Sequence, residues 1–356
     1  MSSFATGFRN RSPLVMVAAA LLMVPALVLL QSFFTSGSWS SVPLHFWLRH
    51  PHDDPGVVSW SVARLKDGPP RVPTVFIVGG SSAREGIVSG ASLASDIRRL
   101  GGPRVYAANL SSSLQTYSQS LAIADNVPAE DAWLVVGISP NRFASNADVT
   151  LSQAVGKGML LRSPYLSRYV ACTYRKYRFD PTILPGIFLY LSDLADTYVR
   201  SIYAGGWVGG PYLLHRVDGK RPRSPERKQR LVRGWYRLRY PAFKENFAMN
   251  MGMLKQLVEC SRKRGLHVVL VELPIDREII GRQFDKPRSQ YVPRVRRLAR
   301  ELGVPYLDFN ADLAMSSEHF YDLQHLTKTG RPIWQERLAR ELVLLMQVTD
   351  NEQDPP

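Results

Sequence analysis

Short apolar runs separated by helical patterns leave this chain few ways to fold. VFIV (75–78), RVYAANL (104–110), WLVVGI (133–138), HVVLVELP (267–274) and VPYLDF (304–309) each have the length of a strand and are rich in Val, Ile, Leu or aromatic residues. Between and after them lie helical patterns near 91–100, 117–126, 243–264 and 293–302, and the pattern IWQERLARELVLLM closes the set. Strands covered on both faces read as continuous apolar runs, and their alternation with helices predicts βαβ units. The expectation is an α/β protein with about five parallel strands and helices on both faces of the sheet.

The N-terminal region predicts a membrane anchor. Arg9 and Arg11 precede 18 residues without a charge (13–30), after which Gln31 and Phe33-Phe34 lead into a Ser-rich segment. Such a run with positive charge on its amino side reads as a single span whose following domain lies outside the cytoplasm. A signal peptide cleaved near Ser36 to Ser38 is the competing reading. The run exceeds the roughly 7–15 apolar residues of a signal, which favours an uncleaved anchor. Residues 36–73 then form a membrane-proximal linker in which Trp39, Phe46, Trp47 and Trp60 either meet the membrane interface or pack under the next domain. The HPHDDP stretch holding His50, His52, Asp53 and Asp54 reads as turn chemistry and not as a metal site.

The catalytic region is expected over 74–348, with 349–356 as a tail. Alternation is lost between about 147 and 240, and an insertion of that size reads as a cap or substrate-facing subdomain. From Pro211 to Tyr240 there are ten Lys or Arg against two acids, a local net of +8 within a chain of net charge +15. Such a surface favours anionic partners or simply meets water. Cys172 and Cys260 fit no metal or disulfide framework and read as isolated core cysteines, although one bridge between them stays open.

Two motifs carry chemistry. VFIVGGSSAREG (75–86) reads as a buried strand ending in a Gly-Gly turn, so that Ser82 stands beside a helix N-terminus with free backbone N–H groups. A serine that merely caps a helix is the plainer reading of that stretch alone. Far along the chain, YDLQHLTKTG sets Asp322 three residues before His325, ahead of the last helix. Nucleophile, base and orienting carboxylate are then all present, and such trios are recognised by role and not by order. His319, Asp308 and Glu272 are rivals, with Asp308 read as a strand-end cap, Glu272 as a strand-end acid, and Arg84 and Glu85 as a pair. The GxSxG elbow of α/β-hydrolases is absent.

With Ser82, Asp322 and His325 in hand, the chain resembles the SGNH (GDSL-type) hydrolase superfamily. Within it, the chain is similar to membrane-anchored extracytoplasmic members such as alginate O-acetylation and D-alanine transfer proteins. The block GDSxxxG matches Gly80 to Gly86 with Ser81 in place of Asp, and DxxH matches Asp322 to His325. The oxyanion-hole glycine falls near Ser111, and the GxN block is seen only as Gly137-Ile138-Ser139-Pro140-Asn141, two residues too long. The resemblance, spanning about 74–346, implies a three-layer flavodoxin-like fold. It also implies a triad of Ser82, His325 and Asp322, and an oxyanion hole from the Ser82 and Ser111 N–H groups and Asn141, with Ser139 as fallback. No cofactor or metal is implied. The implied activity is extracytoplasmic (periplasmic) O-acyl transfer, acetyl first, to a polysaccharide or other cell-envelope polymer, beside a multi-span membrane acyltransferase. The same triad serves a carbohydrate O-acyl esterase. A binding or scaffolding protein that has lost activity is the other class, and nucleic acid is not an expected partner.

Overall fold

The computed structural model describes residues 12–152, 159–174, 184–204, 210–214, 217 and 219–353. Arg9 and Arg11, the RKYRF stretch at 175–179 and most of the glycine-rich turn at 205–210 fall outside them. Five parallel strands form one sheet in the order β2-β1-β3-β4-β5: β1 Thr74–Val78, β2 Tyr106–Asn109, β3 Ala132–Ile138, β4 His267–Glu272 and β5 Tyr306–Leu307. This is a doubly wound order, and the chain reverses its direction of travel at β1 and β3.

Each central strand divides its side chains between two cores, as the two-residue period of a strand requires. Phe76, Val78, Leu134, Val136, Val268 and Leu270 enter one, while Val75, Ile77, Trp133, Val135, Val269 and Val271 enter the other. That double burial explains why these strands read as unbroken apolar runs. The outermost strand is different: β5 pairs over only two residues, because Asp308 and Asn310 turn to bind each other and neighbouring loops.

The helices, in chain order, are α1 Pro13–Ser36, α2 Asp54–Asp67, α3 Ser81–Arg84, α4 Gly90–Arg99, α5 Tyr117–Ala124, α6 Pro140–Phe143 and α7 Ala147–Ser152. They continue with α8 Pro164–Thr173, α9 Leu184–Ala204, α10 Pro225–Lys263, α11 Arg277–Ile280, α12 Asp285–Glu301 and α13 Gly330–Gln353. Several run past the bounds the sequence predicts, α10 and α12 the furthest. The helix expected over 293–302 begins at Asp285, because Pro293 lies inside it rather than at its start, at the cost of one backbone hydrogen bond. Likewise α10 runs 39 residues through position 240, so the basic end of the insertion and a sheet-packing helix are one element.

Segment 36–73 is folded against the rest of the chain. Val58, Val62 and Leu65 of α2 join the larger core, and Trp39 and Trp47 are buried with Phe34, Ile187, Tyr190 and Leu194 in a third cluster. The tryptophans therefore pack under the domain. Asp53 caps α2 through the Gly56 N–H and pairs with Arg49, as turn chemistry predicts. Both cysteines are free, and Cys172 is exposed, correcting its assignment to the core, while Cys260 is buried.

Candidate active site

Strand β1 delivers the site. It ends at Val78, the chain turns through Gly79 and Gly80, and Ser81 opens the four-residue helix α3. A Cβ on Gly79 would come within 2.6 Å of the Ala83 Cβ, so only glycine lets this helix fold back so closely on its strand. The Gly79 N–H donates to Gln115 Oε1 at 2.8 Å, which ties the turn to the loop after β2.

His325 Nε2 lies 2.8 Å from Ser81 Oγ, and His325 Nδ1 lies 2.9 Å from both oxygens of Asp322. The sequence-predicted nucleophile, Ser82, is one residue away from this arrangement. Successive residues on a helix point about 100° apart, so only one of two adjacent serines can face the imidazole. Ser81 does, half-buried, while Ser82 is buried in the wall of the same cleft. The aligned block shifts by one residue: Gly80 occupies the place of Asp, and Gly86 lies one position late.

Asp322 is built to remain ionised. Burial pushes its pKa up, but the hydrogen bond and charge of His325 and the backbone N–H groups of Gln324 and His325 hold it below the ordinary 3.8. A proton on Nδ1 facing this carboxylate leaves Nε2 as the acceptor for the Ser81 hydroxyl.

Of the residues expected as oxyanion donors, Ser82 and Asn141 line the cleft and Ser111 is not among its lining residues. The Ser111 N–H donates to Asn109 Oδ1 at 3.1 Å, so that backbone group is already engaged. Asn141 does line the cleft. Its Oδ1 accepts from the Trp235 indole N–H at 2.6 Å, and its Nδ2 donates to Gln324 Oε1 at 2.9 Å. An indole can only donate, so it fixes which end of the amide is oxygen and leaves the second Nδ2 hydrogen for a ligand. Ser139 is buried at the N-cap of α6 and also lines the cleft. The first-turn N–H of Ser81 has no intrahelical acceptor, as at any helix start.

The rivals serve elsewhere. His319 Nδ1 accepts from the Ser316 N–H at 3.0 Å, and Asp308 pairs with Arg288 at 2.8 Å. Glu272 is buried among Arg288, Tyr291 and Tyr306, and burial pushes its pKa up to about 7 against the opposing charge of Arg288. Arg84 and Glu85 do pair, but within a larger buried network: Arg84 also binds Asp54, and Glu85 binds Arg331.

The cleft measures about 300 Å³ and lies between the carboxyl ends of β1 and β3, where the sheet reverses direction. Leu114, Val149, Ala144 and Ala242 give it apolar wall, and Arg239 stands at its edge. In its wall, buried Arg142 donates to the carbonyls of Gln115, Thr116 and Gly137 and to Ser120 Oγ, and lies 4.0 Å over the Tyr117 ring. Burial pushes that guanidinium down to about 10. Sequence reasoning missed Trp235, Gln324 and Arg142; Gln324 sat inside the DxxH motif, whereas Trp235 was hidden in the basic run.

The fold and site together define an α/β protein with a parallel five-strand sheet and a Ser-His-Asp arrangement at its carboxyl edge. No protein-family model matches the chain, and no curated protein matches it in sequence.

Proposed function

We propose that the chain is a membrane-anchored serine O-acyltransferase of the SGNH type, with Ser81 as nucleophile, His325 as base and Asp322 as the orienting carboxylate. The observation that carries this reading is the 2.8 Å contact of His325 Nε2 with Ser81 Oγ, backed by Asp322 on Nδ1. Serine is a weak nucleophile at its own pKa and needs such a base. Ser81 Oγ attacks the acyl carbonyl as its proton passes to Nε2, and the oxyanion meets Asn141 Nδ2 and the Ser81 N–H. The imidazolium then protonates the leaving oxygen, and an acyl-serine remains. A sugar hydroxyl deprotonated by Nε2 takes the acyl group; water in its place makes the same site an esterase.

Two features favour a tethered transferase acting on an anionic polymer. Phe34, at the end of α1, is buried against Trp39 and Trp47, with ring centroids 6.1 and 5.7 Å away. Cleavage near Ser36 to Ser38 would remove a side chain on which the folded domain is built, which supports α1 as a retained anchor with the catalytic domain outside the cytoplasm. The acceptor reading rests on α10, where Arg227, Arg230, Arg233, Arg237 and Arg239 are exposed, the last at the cleft. Lys228 does not belong to that exposed set because it is buried on Asp276 and Ser317. The acyl donor on this reading is a membrane acyltransferase.

The test is labelling with a fluorophosphonate and turnover of an activated acetyl ester by the purified chain. Ser81→Ala is expected to abolish both, and Ser82→Ala to keep both. Labelling that persists in Ser81→Ala, or no turnover by the parent chain, would sink the proposal.

A further inference from the structure

Helix α9, in the insertion, has three faces. Ile187, Tyr190 and Leu194 enter the third cluster, and the Tyr190 hydroxyl donates to the Trp47 carbonyl at 2.7 Å. A second face is polar, with Arg200 paired to Asp196 at 2.8 Å. The third is apolar and uncovered among the described residues: Phe188 is 50% exposed, Val199 50%, Ile202 67% and Tyr203 87%. At 3.6 residues per turn, positions 188, 199 and 202 fall on one side of the helix, away from both Tyr190 and Arg200.

What covers this face is indicated by where α9 sits. The cluster that receives its buried face also holds Leu30, Phe33 and Phe34, the last turns of α1. On the reading above, α1 crosses the bilayer, and its own surface is bare and apolar, with Leu21 68% and Leu22 73% exposed. The stretch of α9 that shares this cluster, from Ile187 to Tyr198, then lies at the level of the headgroups, with Val199 and Ile202 in the turn that follows. A helix with an apolar stripe bordered on one side by the charged face of Asp196 and Arg200, and carrying Phe and Tyr, is suited to that layer.

We infer that α9 lies in the bilayer interface, with Phe188, Val199, Ile202 and Tyr203 inserted at the acyl boundary beside the exit of α1. The protein is then held at two places. A lone span leaves a domain free to rotate about the membrane normal, whereas a second attachment fixes the orientation of the catalytic cleft relative to the membrane.

The inference rests on α1 being a span, and the experiment separates the two. Full-length chain carrying Cys172→Ser, with Cys260 buried, receives one new cysteine by Val24→Cys, Ile202→Cys or Arg200→Cys. Each is labelled with an environment-sensitive fluorophore and reconstituted in phosphatidylcholine/phosphatidylglycerol vesicles containing spin-labelled lipid. The expected result is blue-shifted, lipid-quenched emission at positions 24 and 202 and unquenched emission at 200. Quenching at 24 with none at 202 beyond that at 200 would overturn the interfacial helix while leaving the span, including the case where a second copy or another protein covers the stripe. Absence of quenching at both 24 and 202 would overturn the span and the interfacial helix together, without touching the chemistry assigned to Ser81.

Discussion

Asn141, the proposed oxyanion donor, has its side-chain amide held in one orientation. Its amide is held between an indole that only donates and the Gln324 carbonyl oxygen that only accepts, so the Nδ2 end is fixed without any ligand present. Asn141→Ala is expected to lower kcat by roughly 100- to 1000-fold, the usual cost of one oxyanion donor. Trp235→Phe keeps the ring among Tyr236, Tyr240 and Phe284 but loses the N–H. Its expected cost is smaller, about tenfold in kcat with KM little changed, because the donor survives and only its orientation is loosened. Steady-state kinetics on an activated ester separates the two. The indole contact joins residues 94 positions apart, which is why no local pattern in the sequence disclosed it.

At the scale of elements, helix α3, which carries Ser81, is too short to hold itself and is held by ion pairs. Arg84 binds Asp54 of α2, Glu85 follows at its end, and Arg331 of α13 reaches Glu85, all within the interior. Removing one partner of a buried pair leaves charge without compensation, so Glu85→Gln is expected to cost about 3 kcal/mol, read as a lower denaturant midpoint. A second buried group sets a pH dependence. Glu272 has its pKa raised from 4.5 to about 7 by burial. Between those values the folded state keeps a proton that the unfolded state has lost, so stability falls as pH rises from 4.5 to 7. Thermal melts across that window are expected to show the fall in the parent chain and to flatten in Glu272→Gln, where Arg288 still has Asp308 as partner.

For the whole molecule, α1, the segment after it and α9 share one cluster, so the proposed anchor is continuous with the domain it carries. Carbonate-washed membranes are therefore expected to retain the chain, with an N-terminus ahead of residue 13 by sequencing; a start near residues 36–38 would show cleavage instead. The five strands and the apolar N-terminal helix were legible from sequence because backbone hydrogen bonding and burial impose local periods that side chains must obey. Asp322 and His325 were legible for a similar reason, since three residues suffice to bring a carboxylate to a ring. Which of two adjacent serines meets that ring was not, because the answer is a rotation about a two-glycine turn fixed by Gln115 and by the packing of Ala83 on Gly79. Nor could the sequence show that the Ser111 N–H is spent on Asn109, or that Trp235 reaches Asn141. Period and composition settled where the chain goes; contacts between distant segments, each decided by the packing of all the others, settled which atoms face the cleft.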